Sequence, residues 1–220
     1  MKKTKRKLKR KVKYMSLLLG FIFCIFLGIS IFPIGKKSRI LSNQKDTKDY
    51  IYQESVFPNF VGNIPVHTDL IEAYTSARPS TKRMIKYIVI HETDNFEKGV
   101  GAHNHAEYLK RNNKTATSWH YTVDDKEIYH HIPDDEIAHH AGDDEGNAYG
   151  IGIELCVNID GNFEKTFDNA AKLVAYLLKA YDLNLDHLKT HHDFSGKDCP
   201  HSILQENRLK EFRQRVRTYL

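Results

Sequence analysis

Residues 85–91 have the sequence Ile-Lys-Tyr-Ile-Val-Ile-His, an almost continuous apolar run that ends in a histidine. Such a run is expected of a β-strand that is buried on both faces. A histidine that closes this strand lies at the edge of the sheet, and the rigid strand fixes its orientation. The stretch therefore predicts a buried central strand and makes His91 a candidate functional residue.

The segments on either side of this strand alternate between strand and helix patterns. Aromatic and β-branched runs predict strands at 119–123, 127–132 and 150–157, with a hairpin turn at 124–126. Apolar residues at helical spacing predict helices at 100–112, 168–181 and 209–219. The predicted fold class is therefore α/β, a mixed central β-sheet flanked by helices in a domain of about 150 residues.

One residue in the strand predicted at 150–157 does not fit an apolar strand. Alternation places Gly152, Glu154 and Cys156 on one face, and isoleucine and leucine residues on the other. An unpaired buried carboxylate is costly, so Glu154 either faces a cleft or is neutralised by a cation. Next to a metal it can take a proton from water. The alternative is a structural salt bridge or a half-exposed strand face.

A cluster of metal-binding residue types lies in the stretch His191-His192-Asp193-Phe194-Ser195-Gly196-Lys197-Asp198-Cys199-Pro200. Imidazole and thiolate are the usual ligands of zinc, and the glycine and proline permit the loop to fold back. Adjacent side chains cannot point the same way, so only one of His191 and His192 can be a ligand. With His91 as a third ligand, a fourth tetrahedral position stays open for water, which indicates a catalytic site. The alternative is a surface loop with a chance histidine and cysteine.

The remaining polar candidates have weaker signals. Lys197 stands two residues before Cys199, where a fixed ammonium can stabilise an oxyanion, although a solvated loop lysine is the alternative. His140 either contacts substrate or is exposed, and His120 is interpreted as a hydrogen-bonded core residue rather than a ligand. Five further histidines are interpreted as surface or packing residues: His103, His105, His130, His131 and His187.

Positive charge is concentrated at the N-terminus. Residues 1–13 hold nine Lys or Arg and no acid, whereas the other 207 residues hold 24 basic and 28 acidic side chains. The domain itself is therefore slightly acidic, and we expect no nucleic-acid binding.

An apolar, uncharged run at residues 14–34 is long enough to span a bilayer. We interpret it as a transmembrane signal anchor, with the basic segment 1–13 in the cytoplasm and the catalytic domain outside the cell membrane. A cleaved signal peptide, which would give a secreted protein, is the alternative. Residues 35–65 are polar and predicted to be a linker, and the domain is predicted at 66–220. Three dispersed cysteines exclude a disulfide framework, so metal binding explains an unpaired thiol at Cys199.

Five short motifs of the domain occur in a fixed order. They are Tyr87 through Asn95, Ser118-Trp119-His120-Tyr121, His140-Ala141-Gly142, Ile151-Gly152-Ile153-Glu154 and His191 through Pro200. Together they resemble the zinc-dependent N-acetylmuramoyl-L-alanine amidases. This family includes phage lysozyme-type amidases and is related to the peptidoglycan recognition proteins. The resemblance covers residues 66–215.

The resemblance implies one zinc ion held by His91, His191 and Cys199. It thereby selects His191 over His192, because the ligand of the family occupies the first position of the stretch. The implied fold is a mixed sheet like that of the amidases and peptidoglycan recognition proteins.

The resemblance also assigns roles around the metal. It implies Glu154 as the catalytic carboxylate, Lys197 on the oxyanion side, and His140 and Trp119 as substrate-binding residues. Some relatives have a tyrosine where Trp119 stands and lack the strand glutamate, so the base role is assigned to Glu154. The acidic stretch 143–147 differs from the glycine-rich loop of close relatives.

The expected activity is hydrolysis of the amide that joins the lactyl group of N-acetylmuramic acid to L-alanine in peptidoglycan. A thiolate bound to zinc is not free to attack, so Cys199 is not expected to be a nucleophile. Two other functions fit the same residues: a module that binds peptidoglycan without cleaving it, and a zinc hydrolase for a different amide. Peptidoglycan lies outside the membrane, on the side where the anchor would place the domain.

Overall fold

The apolar run forms the strand Tyr87–Glu92 (β3), which lies inside a seven-stranded sheet. The computed structural model describes residues 53–220. The other strands are Phe60–Val61 (β1), Ile64–Thr68 (β2), Tyr121–Val123 (β4), Ile128–His130 (β5), Gly150–Leu155 (β6) and Leu188–Thr190 (β7). Their order is β1-β2-β5-β4-β6-β3-β7. β3 is parallel to β6 and β7, whereas β1–β2 and β4–β5 are antiparallel pairs, so the sheet is mixed as predicted.

Helices cover both faces of this sheet. They are Ala102–Arg111 (α1), Asp144–Tyr149 (α2), Phe163–Ala180 (α3), His191–Ser195 (α4), His201–Gln205 (α5) and Leu209–Tyr219 (α6), with a 3-10 turn at Leu185–His187. The three predicted helices are confirmed as α1, α3 and α6. α3 begins five residues earlier than predicted because the Asn162 side chain accepts a hydrogen bond from Lys165 N and caps the first turn.

One local prediction differs from the structure. Trp119 precedes its strand, because pairing of β4 with β6 begins only at Tyr121 opposite Ile153. The acidic stretch 143–147, for which the sequence predicted no element, begins the short helix α2. Asp143 caps that helix by accepting hydrogen bonds from Glu145 N and Gly146 N.

The two faces of the sheet differ in chemistry. Ile151, Ile153 and Leu155 of β6 belong to the main apolar core with α3 and α6, as the predicted alternation requires. The opposite face carries His91, Glu154 and Thr122 in a row, because Glu154 is in register with both other residues on adjacent strands. The sheet thus separates a continuous apolar core from a row of polar side chains.

The predicted linker is corrected at its C-terminal end. Val61 and Ile64 are buried in the main core, and β1 and β2 extend the sheet. Farther upstream, Gln53 Nε2 donates to Tyr181 O at 2.7 Å and Val56 N donates to Tyr181 Oη at 3.0 Å. The folded domain therefore begins before residue 66. The polar composition of this segment does not reveal its hydrogen bonds to Tyr181.

Three predicted segments fall wholly or largely outside the described residues: the basic segment 1–13, the transmembrane anchor at 14–34, and most of the linker. Across residues 53–220, no helix combines the length and the apolar character that a bilayer span requires.

Candidate metal centre

The three predicted metal ligands converge although 108 residues separate the first from the last. One donor atom from each of His91, His191 and Cys199 lies within 4.8 Å of the other two. His91 Nδ1 is 3.1 Å from His191 Nδ1 and 3.8 Å from Cys199 Sγ. Ligand atoms on a tetrahedral zinc ion, with bonds of about 2.0–2.3 Å, are themselves about 3.3–3.8 Å apart. The donor types therefore suit zinc, and the two distances from His91 Nδ1 are close to this range.

His191 is placed by the junction of β7 and α4. Thr190 ends the strand, and its hydroxyl accepts a hydrogen bond from Asp193 N, while Asp193 Oδ2 accepts one from Thr190 N at 2.7 Å. This capping box makes His191 the first residue of the helix and fixes its backbone. Gly196 ends the helix in the left-handed conformation, with φ at 74°, so that the chain can turn back toward the site.

Cys199 is held by Glu92, which follows the ligand His91 on β3. The Glu92 carboxylate accepts hydrogen bonds from Ser202 N at 2.9 Å and Ile203 N at 3.2 Å, in the first turn of α5. Glu92 is only 6% exposed, so this is a buried charge-assisted contact. The loop that carries Cys199 is therefore tied directly to the strand that carries His91.

The ionisable ligands are buried, which favours their neutral forms. Burial, and then the neighbours His140 and His191, lower the pKa of His91 well below its usual value. Burial, and then Lys197, lower the pKa of His191. Neutral imidazole is the form that binds a metal. Burial, and then the Glu154 carboxylate, raise the pKa of the Cys199 thiol to about 12, so in the absence of a cation it is not a nucleophilic thiolate.

Glu154 is the least compensated charge in this region. Burial raises its pKa to about 8, against the lowering effect of Lys197. Its Oε2 atom is buried and has no hydrogen-bond partner among the described residues. A carboxylate in this state either takes up a proton or needs a nearby cation. Glu154 is therefore placed to accept a proton close to neutral pH.

The predicted site residues line a common cavity of about 380 Å³ above the ligands. Its walls include six of them: Trp119, His140, Glu154, His191, Lys197 and Cys199. A second cavity of about 480 Å³ shares Trp119, Glu154 and Lys197 and extends along α1 to Tyr108 and Arg111. The shared lining makes the two cavities parts of one groove.

Trp119 forms a fixed wall of this groove. Its indole Nε1 donates to Thr122 Oγ1 at 2.7 Å, and Thr122 Oγ1 is 2.8 Å from His131 Nε2. The ring stacks on Tyr108, with centroids 6.4 Å apart and planes at 14°. This rigid aromatic surface lines the cavity together with Glu154, and the substrate-binding role of Trp119 stays a prediction.

Other histidines of the sequence lie outside the ligand set. His120 is fully buried, with Nδ1 accepting from Gly152 N and Nε2 3.0 Å from Glu136 O, which agrees with its interpretation as a core residue. His192 is exposed, and its Nδ1 lies 3.2 Å from Lys197 O, so it does not compete with His191.

His140 has contacts that the sequence did not suggest. The predicted substrate-binding ring lines the cavity but is only 8% exposed. Nδ1 lies 3.0 Å from His91 Nε2, and Nε2 lies 3.0 Å from Gly150 O. Both ring nitrogens are thus already used inside the protein.

Sequence reasoning assigned no role to Glu92 or to Asn147, which binds the backbone of His140. The only signal for Glu92 is an acid directly after a strand histidine, and its partners lie 110 and 111 residues away.

Comparison with known proteins gives a match to the family Amidase_2, described as N-acetylmuramoyl-L-alanine amidase, over residues 81–202. This is more than half of the 220-residue chain. The chain belongs to this amidase family. The resemblance drawn from the five motifs is therefore confirmed.

Among curated proteins, two amidases of Bacillus subtilis (strain 168) are similar. The N-acetylmuramoyl-L-alanine amidase CwlH is 42% identical over 144 residues, and the amidase XlyA is 44% identical over 138 residues. The alignments cover 64% and 62% of this chain, and 57% and 46% of the relatives. The chain thus spans about half the length of these curated relatives.

Solved structures extend the similarity to the fold. The catalytic domain of XlyA matches with a TM-score of 0.67 at 39% identity, over 70% of this chain and 99% of that chain. PlyL matches with a TM-score of 0.64 at 32% identity, over 70% and 97%. The mixed sheet with flanking helices is therefore shared with these two structures.

Proposed function

We propose that this chain is a zinc-dependent N-acetylmuramoyl-L-alanine amidase. It hydrolyses the amide between the lactyl group of N-acetylmuramic acid and L-alanine in peptidoglycan. The observation that carries this proposal is the convergence of His91, His191 and Cys199 within 4.8 Å, beside an unpartnered Glu154 in an open groove.

His91, His191 and Cys199 would hold a zinc ion, which when bound would supply the Lewis acid for the amide carbonyl and for water. Glu154 provides the proton transfers. Its carboxylate accepts a proton from the attacking water and can return that proton to the leaving nitrogen, because burial raises its pKa above the usual value. A carbon–oxygen bond forms and the carbon–nitrogen bond breaks, so the products are a lactyl carboxylate and the free amino group of L-alanine.

Lys197 and Trp119 complete the site. The Lys197 ammonium lines the groove beside Glu154 and can stabilise the negative charge that develops on the carbonyl oxygen. Trp119 is a rigid wall against which a sugar or peptide segment packs. Both residues act only when the substrate lies in the groove, so their loss changes turnover or substrate binding and leaves the metal ligands in place.

The test is digestion of purified peptidoglycan sacculi with the full chain, in parallel with zinc analysis of the protein. We expect one zinc per chain, peptides that begin with L-alanine, and glycan strands without peptide. Cys199→Ser and Glu154→Gln abolish or strongly reduce product release, and only Cys199→Ser lowers the zinc content. His103→Gln, which changes an exposed histidine outside the groove, is the matched control.

Mass analysis of the products separates the other two functions. Binding to sacculi with no new amino termini identifies a module that recognises peptidoglycan without cleaving it. New termini at a bond other than the lactyl amide identify a zinc hydrolase for a different amide. Either result overturns the proposed reaction.

We also propose that residues 14–34 anchor the chain in the cell membrane with the amidase domain outside. The support is the uncharged apolar run that follows nine positive charges. Protease treatment of intact protoplasts is expected to remove the domain and leave a membrane-bound N-terminal fragment. Recovery of a soluble protein that lacks this run identifies a cleaved signal peptide, and a domain protected from protease places it inside the cell.

A further inference from the structure

Two hydrogen bonds connect the metal centre to the backbone of β6. His140 Nε2 is 3.0 Å from Gly150 O, and His140 Nδ1 is 3.0 Å from His91 Nε2. The two rings meet edge to face, with centroids 5.0 Å apart and planes at 88°. The other nitrogen of the His91 ring, Nδ1, faces His191 and Cys199.

The backbone end of this connection determines where each proton lies. Gly150 O can only accept, so His140 Nε2 carries the hydrogen, and in a neutral ring Nδ1 then has the lone pair. His140 Nδ1 can therefore only accept, so the hydrogen between the rings belongs to His91 Nε2. The lone pair of His91 is thereby left on Nδ1, which is the ligand atom.

The His140 ring has little freedom to leave this position. Asn147 Oδ1 accepts hydrogen bonds from His140 N and Ala141 N, both at 2.8 Å, which fixes the backbone. The ring lies directly on Gly152, where a Cβ atom would be 2.7 Å from His140 Cγ. Such an approach is possible only over a glycine, so β6 supplies both the proton acceptor and the space for the ring.

We propose that His140 is a positioning residue that fixes the tautomer and orientation of His91, so that Nδ1 presents its lone pair to the metal. This role rests on the proposed metal centre. Partners of this kind, which bind the second nitrogen of a ligand histidine, raise metal affinity by about 10–100-fold. His140 therefore acts through His91 and does not need to touch the substrate.

Two substitutions separate positioning from packing. An asparagine amide oxygen takes the place of Nδ1 and can accept from His91 Nε2, whereas a glutamine reaches the place of Nε2 and contacts Gly150 O. Glutamine is closer to histidine in volume. A packing role therefore predicts that His140→Gln is the milder change, and the positioning role predicts the reverse order.

The first measurement uses metal-free protein labelled with 15N. Long-range proton–nitrogen correlation spectra report which ring nitrogen of His91 carries the hydrogen, with His91→Gln to assign its signals. We expect the Nε2–H tautomer in the wild type and in His140→Asn, and a mixture of tautomers in His140→Gln. A wild type with hydrogen on Nδ1 overturns the inference without any variant.

The second measurement is zinc affinity by competition with a chelator. We expect His140→Gln to lose about 10–100-fold and His140→Asn to lose less than 10-fold. His103→Gln is again the matched control. Equal affinity of the two His140 variants, or a greater loss in His140→Asn, overturns the positioning role.

These results are distinguishable from a failure of the proposed function. If the wild-type chain binds no zinc or releases no peptide, the amidase proposal fails, while the tautomer spectra still test His140. If zinc binding and cleavage are as proposed but the His91 tautomer does not respond to His140→Gln, only the positioning role fails.

Discussion

Two regions of the domain bury carboxylates, and they differ in whether basic side chains bind those carboxylates. Beside the C-terminal end of α3, Asp134, Asp135 and Glu136 are almost completely buried. We call these three residues the acidic cluster. Arg78 binds Glu136 through two nitrogen–oxygen contacts of 2.7 and 3.0 Å, and Lys82 lies 2.7 Å from Asp135. In the metal centre, Glu154 Oε2 has no such partner among the described residues.

The difference shows how a structural group of buried charges is distinguished from a functional one. Asp135 and Glu136 each have a basic side chain, so their charges are compensated within the protein. Asp134 accepts a hydrogen bond from the Tyr181 hydroxyl at Oδ2, whereas its Oδ1 has no hydrogen-bond partner among the described residues and lies 3.4 Å from His130 Nε2. Around Glu154, the ligand residues His91 and Cys199 favour their neutral forms, and the nearby Lys197 ammonium offsets the carboxylate charge without a hydrogen bond to Oε2. An uncompensated buried group costs stability, and a protein retains it where the group performs chemistry.

The largest effect is expected from loss of a ligand. Cys199→Ser replaces the thiolate with a poor zinc ligand, so turnover falls by about a thousand-fold or more, as expected when the several kcal/mol from a metal ion are lost. Zinc content by atomic spectrometry falls in parallel. A variant that keeps full activity without metal would show that the three donor atoms do not form the catalytic site.

Loss of the Glu154 carboxylate is expected to lower turnover nearly as much as loss of a ligand. Glu154→Gln keeps the shape of the side chain but cannot accept a proton, so kcat falls by about 10²–10⁴-fold. Zinc content stays at the wild-type level because Glu154 is outside the ligand set. Steady-state release of amino termini measures the loss. An unchanged kcat would place the proton transfer on another group.

Lys197→Met is expected to lower kcat by about 10²–10³-fold through loss of oxyanion stabilisation. It also changes the pH profile. The Lys197 ammonium lowers the pKa of Glu154, so its removal raises that pKa and shifts the acid limb of kcat/KM to higher pH. Lys210→Met, an exposed change on α6, is the control. A shift toward lower pH contradicts this assignment.

A separate effect concerns the stability of the metal-free protein. Burial raises the pKa of Glu154 to about 8, whereas an unfolded glutamate titrates at about 4.3. Between these values the unfolded chain is deprotonated and the folded chain is not, so stability is lost as pH rises toward 8. We expect Glu154→Gln to match the wild type at pH 4 and exceed it by about 5 kcal/mol at pH 8.5. Urea unfolding at both pH values measures this, and a gain already present at pH 4 refutes the titration argument.

The sequence predicted the strands, and it predicted candidate ligands that the fold brings together, because both leave local signals. A buried strand shows as an apolar run, and alternation places Glu154 on the face opposite Ile151 and Ile153. The role of Glu92 leaves no such signal, because its partners are backbone N–H groups that any residue provides. The packing of His140 over Gly152 is hidden for the same reason, since a glycine in a strand has several explanations.

The starts of helices were predicted least well where a single capping side chain determines them. Asn162 starts α3 and Asp143 starts α2, and each does so through hydrogen bonds to backbone N–H groups two or three residues ahead. Likewise the polar segment before β2 was predicted to be a linker, although Tyr181 holds it through both its carbonyl and its hydroxyl.

The smallest effect is expected from the loss of a hydrogen bond to the acidic cluster. It tests whether the acidic cluster and the metal centre are independent. Tyr181→Phe removes a hydroxyl that donates to Asp134 Oδ2 and accepts from Val56 N. Loss of these buried hydrogen bonds lowers the free energy of unfolding by about 1–3 kcal/mol. Tyr74→Phe, at a residue that is 87% exposed, is the control and leaves stability unchanged. Zinc affinity and kcat stay at wild-type values, because compensation within the acidic cluster does not involve the metal ligands. A parallel loss of zinc affinity would show that the segment held by Tyr181 also supports the metal centre, and the division between a compensated and an uncompensated region would then fail.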